Sequence, residues 1–133
     1  MKKLLTALLL CVACLTATAE SQGYKATSYA YKYVNDYGYW TDWTSWLSCD
    51  VNIIFDLNND VITIFSQRKQ TYVVYSYDGA SYDVGGGQYV QYSVIDQDYD
   101  YGKIRLRIEG NGNSQLYVDF ANVMWVYNVR RIY

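Results

Sequence analysis

Five aromatic residues carry the strongest chemical signal in this 133-residue sequence. Tyr39, Trp40, Trp43 and Trp46 crowd into one short stretch with Tyr37 beside them, and Trp125 stands near the carboxyl end. An indole offers a flat hydrophobic face and one N–H donor, so grouped indoles can stack on a sugar ring or an apolar ligand. The same rings, buried, would make a core plug, which a small domain without disulfides needs to offset its chain entropy. Trp40, Trp43 and Trp46 recur every three residues. That spacing predicts a helical or 3₁₀ turn with the indoles on one side, or a bent loop plugging one end of the fold. Tyr39, Trp40, Trp43, Trp46 and Trp125 are the candidate ligand-binding residues.

Other chemistries find less support. The chain has no His, which removes the Ser-His-Asp, Cys-His and His-zinc arrangements together. Asp96, Asp98 and Asp100 alternate as in a calcium loop. Counted from Asp96, however, the sixth position is Tyr101 where that loop needs Gly, and the twelfth is Arg107 where it needs Glu. An acidic hairpin turn is the simpler expectation, and Asp56 to Asp60 reads the same way. Gly85-Gly86-Gly87 is followed by no Lys-Ser or Lys-Thr and opens no helix, so it predicts a flexible hairpin connection. Glu20 and Glu109 are the only glutamates, and no carboxylate pair suited to glycoside cleavage stands out. No catalytic residue, metal ligand or cofactor is assigned. An Asp-based hydrolase would require two carboxylates facing each other across a cleft.

The amino terminus predicts export. Met1-Lys2-Lys3 is positive, Leu4 to Leu15 is apolar apart from Thr6, and Ala17-Thr18-Ala19 is the small-x-small pattern of a cleaved signal. That apolar stretch is too short to cross roughly 30 Å of hydrocarbon, so no transmembrane segment is expected in the mature chain. Val12-Ala13-Cys14 offers an alternative, lipidation at Cys14. Cleavage after Ala19 leaves nine of the 11 basic residues against all 13 acidic ones, a net charge near −4. No basic run exceeds Arg130-Arg131, which argues against a nucleic-acid partner. Cys49 becomes the only cysteine and reads as a small hydrophobe.

The elements that must hold these residues are strands. With 51% hydrophobic residues, 18% aromatics and no Pro, the chain folds, and its length suits one domain over 20–133. In Lys103 to Glu109, Ile104, Leu106 and Ile108 alternate with Lys103, Arg105, Arg107 and Glu109. A period of two gives an antiparallel strand with one oily and one wet face. Weaker versions recur every 10 to 14 residues, predicting strands at 26–34, 49–57, 61–66, 71–77, 88–95, 103–109, 115–120 and 123–132. Asn58-Asn59-Asp60 and Gly110-Asn111-Gly112-Asn113 supply turns, and Asp78 to Gly87 is expected to be the most flexible stretch. Eight sequential strands suggest an antiparallel up-and-down barrel, closed so that no sheet edge is exposed, with a two-sheet β-sandwich as the alternative. The strand tyrosines Tyr72, Tyr75, Tyr77, Tyr89, Tyr92, Tyr117 and Tyr127 cannot all face one small interior, so some must be exposed.

Trp40-Thr41-Asp42-Trp43, Val51 to Asp56, Val61 to Ser66, Gln70-Thr71-Tyr72 and Gln115 to Val118 resemble small exported proteins of Bacteroidetes bacteria. The resemblance spans most of the mature chain and implies no catalytic residues. The strand plan is also similar to the calycin barrels, the lipocalins and their relatives, although the chain carries no lipocalin sequence signature beyond the spacing of Gly38-Tyr39-Trp40. Together these readings predict an exported, non-catalytic binding protein with a small apolar or sugar-like ligand at an aromatic barrel end. The alternative is a filled barrel that meets a protein or cell-surface partner through exposed tyrosines.

Overall fold

The computed structural model describes residues 21–109 and 113–133. The expected signal segment, Cys14, and most of the 110–113 turn lie outside the described residues. The strands are β1 (Ser21–Tyr33), β2 (Leu47–Asp56), β3 (Val61–Phe65) and β4 (Gln70–Tyr82), then β5 (Gln88–Ile95), β6 (Tyr101–Ile108), β7 (Ser114–Asp119) and β8 (Val123–Arg131). Each pairs antiparallel with the next, and β8 pairs with β1, closing the barrel. Closure rules out the two-sheet alternative. No helix among the described residues is long and apolar enough to cross a membrane.

Alternation decides which side chains fill the barrel. The pairs Ile53–Ile64, Phe55–Ile62, Ile104–Val118 and Leu106–Leu116 point inward. Phe55, Ile53, Ile62, Ile64, Ile104 and Leu116 have no measurable exposure, so the middle of the barrel is packed with side chains, as eight strands permit. Phe55 meets Tyr24 and Tyr92 edge-on, with ring centroids 5.5 and 5.7 Å away, the geometry that opposes ring edge to ring face. The opposite face of β5 to β7 carries Gln91, Ser93, Lys103, Arg105, Arg107 and Asp119. A membrane barrel would put apolar residues there, toward lipid.

Two strand expectations are corrected. β1 begins at Ser21 rather than residue 26, because Ser21 to Ala26 pair with Asp56 to Val51. An irregularity between Ala26 and Ser28 shifts its register against both neighbours. Tyr24 and Ala26 therefore face inward before it, and Tyr29 and Tyr31 face inward after it, a switch that a bulge produces. β4 runs on to Tyr82, through what the glycines and polar residues suggested was flexible chain. Two further register shifts lie between Val74 and Gly79, and Asp78 at the second is held by hydrogen bonds from Ser93 (2.7 Å), Gln91 (3.0 Å) and Lys103 (3.0 Å). The following turn is pinned by Asp83, which accepts from Gly87 N–H at 2.8 Å and from Arg107 at 2.8 Å.

The hydrogen bonds from Ser93, Lys103 and Gln91 hold the Asp78 carboxyl well below the usual carboxylate range. A carboxylate whose pKa is lowered by folding stabilises the fold fully above its unfolded pKa, near 4, and loses that contribution as pH falls further. Urea unfolding between pH 5 and pH 2 is therefore expected to show stability declining below about pH 4. Asp78→Asn should be less stable at pH 7 and decline less steeply with acid. Parallel acid limbs for the two proteins would contradict this assignment.

Candidate functional site

One end of the barrel stays open. There β1, β2 and β8, with the β3–β4 connection, frame a cavity of about 750 Å³ lined by Tyr29, Tyr31, Cys49, Gln70, Trp125 and Tyr127, among others. Ser66, Gln70 and Trp125 also line a neighbouring depression of about 310 Å³, with Arg68, Lys69, Asp96 and Asp98 at its edge. Trp125 and Gln70 thus stand between an aromatic chamber and a charged rim.

The local sequence explains the aromatic wall. Trp125, Tyr127 and Val129 share the inward face of β8, and past the β1 bulge Tyr31 pairs with Trp125 and Tyr29 with Tyr127. Tyr29 and Tyr127 lie 6.2 Å apart. Behind them Phe120 stacks on Trp125 at 6.2 Å with an interplanar angle of 10°. Phe120 fits because residue 102 is Gly: a Cβ there would lie 2.7 Å from the Phe120 ring and from Asp119 O. Strand ends and a missing side chain therefore fix the indole plane.

Polar groups of the wall bind one another. The Tyr72 hydroxyl donates to Gln70 Oε1 at 2.5 Å, and Gln70 Nε2 donates to Ser66 Oγ at 3.0 Å and to the Tyr127 hydroxyl at 3.4 Å. Burial pushes the Tyr127 and Tyr72 phenols up, so both are neutral at pH 7. Burial, then Asp50, likewise raises the Cys49 thiol, which keeps it from acting as a ready nucleophile. Asp50, a carboxylate on the large cavity, pairs with Lys25. The Trp125 Nε1–H is buried and meets no acceptor at hydrogen-bond geometry. It lies near enough to the Tyr127 hydroxyl to favour the phenolate slightly, but not at a distance and angle that make a hydrogen bond. An unsatisfied buried donor costs about 1–3 kcal/mol, so the barrel holds this group against its own stability.

Of the expected site residues, only Trp125 lines the mouth. Residues 35–46 form no helical or 3₁₀ turn and no core plug. They run back along β1, where Thr41 and Thr44 N–H donate to Tyr33 and Tyr31 carbonyls at 2.8 and 2.9 Å. Lys32, on the outer face, sits 5.3 Å from the Trp40 ring and 4.9 Å from Trp43. Trp43 touches Tyr117 of β7 at 6.5 Å. Since β1 and β8 lie between β2 and β7, that contact passes over Ala30 and Val126, which explains why these two outward residues are buried. Tyr39 and Trp46 are 71% and 49% exposed and line no cavity described above. The three-residue spacing suited a helical or 3₁₀ turn or a bent plug; backbone hydrogen bonds to β1 lay the segment along that strand instead.

Sequence reasoning missed Tyr29, Tyr31, Gln70 and Tyr127. The period-two run Val123, Trp125, Tyr127, Val129 was a usable signal for one wall. The bulge that turns Tyr29 and Tyr31 toward it was not. The remaining expectations fall into place as turns: Asp96 Oδ1 accepts from the N–H groups of Asp98 and Asp100, each at 2.9 Å, while Asp60 takes φ 54°. The strand tyrosines divide as expected, with Tyr72, Tyr92 and Tyr127 buried and Tyr75 and Tyr77 exposed.

Fold and site together define a closed eight-stranded antiparallel barrel with a filled middle and one open aromatic mouth. In comparisons with known proteins the chain shows no significant match to a family model, a curated protein or a solved structure.

Proposed function

We propose that the protein is an exported, non-catalytic binding barrel that takes a small, largely apolar ligand at the mouth formed by Tyr29, Tyr31, Trp125 and Tyr127. The observation that carries this reading is the open cavity of about 750 Å³ walled by Tyr29, Tyr31, Trp125 and Tyr127, a volume in the range of small-molecule sites, with the Trp125 N–H buried behind that wall and unpaired. Neutral phenols, and the pairing of Asp50 with Lys25, favour an uncharged ligand over an anion. Among the described residues Asp50 is the only carboxylate lining that cavity, which supports binding rather than acid–base work. The resemblance to small exported proteins and the signal-like amino terminus support export to the periplasm or medium, with a lipid anchor at Cys14 as the alternative.

The neutral probe N-phenyl-1-naphthylamine tests this directly. Its emission is expected to rise on mixing with the protein, and Trp125→Ala should weaken binding at least tenfold while Trp46→Ala leaves it unchanged. Equal loss in both variants, or no binding by the parent protein, would overturn the reading.

The outer wall favours a second reading. Trp40, Lys32, Trp43, Tyr117, Arg105 and Tyr89 form a continuous run of ring and cation contacts, with the Arg105 guanidinium 4.4 Å from Tyr117 and 5.7 Å from Tyr89. Such a surface suits a protein or glycan partner, since rings and Arg dominate contact energies at interfaces. Binding lost in Trp43→Ala but retained in Trp125→Ala would select it.

A further inference from the structure

Resting on the mouth as the ligand site, we infer that its ligand carries a carbonyl-type oxygen and that Trp125 and Tyr127 together read it. These two residues are neighbours on one face of β8, and their polar ends lie close enough to influence each other. The Trp125 N–H has no acceptor. The Tyr127 hydroxyl accepts from Gln70, and burial keeps its own proton in place. The Trp125 N–H and the Tyr127 O–H thus stand side by side at one aromatic chamber, and a carbonyl oxygen has two lone pairs to receive such donors. The other polar groups beside them are already committed. Gln70 spans Tyr72, Ser66 and Tyr127, leaving the indole as the donor that a ligand alone can satisfy.

The same arrangement specifies the rest of the ligand. Tyr29, Tyr31 and the exposed side of the Trp125 ring, whose other side is covered by Phe120, call for a flat apolar body. The charged groups near the mouth lie in the neighbouring depression, where Arg68 and Lys69 share the lining with Asp96 and Asp98, and Asp50 is paired with Lys25, so the oxygen is neutral where it meets the indole. The indole nitrogen is closed to water. An acceptor reaches it by displacing a neighbour, and Gln70, unbranched and shared by both depressions, would give up its hydrogen bonds to Ser66 and Tyr127 in moving aside. A site built to hydrogen-bond an oxygen discriminates strongly against the analogue lacking it, because its donors are then left buried and unpaired.

A matched pair of probes tests this. 1-Indanone and indane share a flat bicyclic shape and differ by one carbonyl oxygen. Each is titrated against protein loaded with N-phenyl-1-naphthylamine, in the parent chain, Trp125→Phe and Tyr127→Phe, with far-ultraviolet circular dichroism to confirm that each variant folds. Displacement by indanone at a concentration at least tenfold lower than indane, with the ratio falling toward one in Trp125→Phe and partway in Tyr127→Phe, is expected. Equal displacement by both in the parent protein would overturn the carbonyl assignment and leave the mouth as an apolar site. Failure of N-phenyl-1-naphthylamine to bind the parent would overturn the site itself. Each ratio is measured within one protein, so a variant with a looser mouth still reports on the oxygen. Should Trp125→Phe not fold, Tyr127→Phe decides the question: an unchanged ratio there contradicts two-donor reading.

Discussion

Replacing Phe55 by alanine is expected to destabilise the barrel by about 3–5 kcal/mol, the range for removing a fully buried aromatic ring. Phe55 has no exposure and sits between Tyr24 and Tyr92 in edge-to-face contacts. Its removal loses both ring contacts and leaves a cavity that a closed wall cannot collapse to fill, since each strand is tied to two neighbours. A domain of this size has about 5–15 kcal/mol in total, so the variant should melt roughly 15 °C lower or fail to accumulate folded. Phe55→Leu keeps most of the volume and should cost less than about 2 kcal/mol. Urea denaturation of both variants checks this. A loss below about 1 kcal/mol for Phe55→Ala would mean that the barrel middle is not the packed core described above.

Alkaline pH should unfold the protein in one cooperative step. Burial raises the phenols of Tyr24, Tyr72, Tyr92 and Tyr127, with Tyr92 pushed up to about 12. A group whose pKa is raised by folding contributes fully below its unfolded value, near 10 for Tyr, and loses that contribution as pH climbs toward the folded value. Four such phenols share one barrel, so stability should fall steeply between about pH 10 and 12. Phenolate absorbance at 295 nm from these residues should then appear together with loss of near-ultraviolet circular dichroism. Tyr92→Phe keeps the ring and removes one titrating group, so its unfolding midpoint should move to higher pH. Phenolate absorbance that completes while the near-ultraviolet signal persists would contradict the burial assigned to these tyrosines.

Both expectations rest on the buried face of the strands, the part of the fold most legible in the sequence. Strand number, order and barrel closure follow from period-two alternation, most clearly at Ile104, Leu106 and Ile108 against Lys103, Arg105 and Arg107. Alternation is a local property, and every side chain in a strand obeys it until the register breaks. The breaks were not legible. A bulge near Thr27 turns Tyr29 and Tyr31 into the mouth, and two more in β4 carry that strand through residues with poor β-propensity because Asp78 is caught by Ser93, Gln91 and Lys103. Both depend on partners distant in sequence. The tryptophans show the same division. Density of Trp40, Trp43 and Trp46 drew attention to one loop, whereas the loop's path is set by backbone hydrogen bonds to β1 and by Lys32 between two rings. Trp125 was legible as an aromatic on the closing strand; its partners Gln70 and Tyr127 were not, because only closure of β8 on β1 assembles them.

The distinction between the inner and outer tryptophans makes one measurement decisive. The four indole N–H groups give separate signals in a ¹H–¹⁵N correlation spectrum, and titration with 1-indanone reads all four at once. The Trp125 Nε1–H resonance is expected to move downfield and saturate while those of Trp40, Trp43 and Trp46 stay in place. A saturable shift confined to Trp40 and Trp43, with Trp125 unmoved, would contradict it and place recognition on the outer wall.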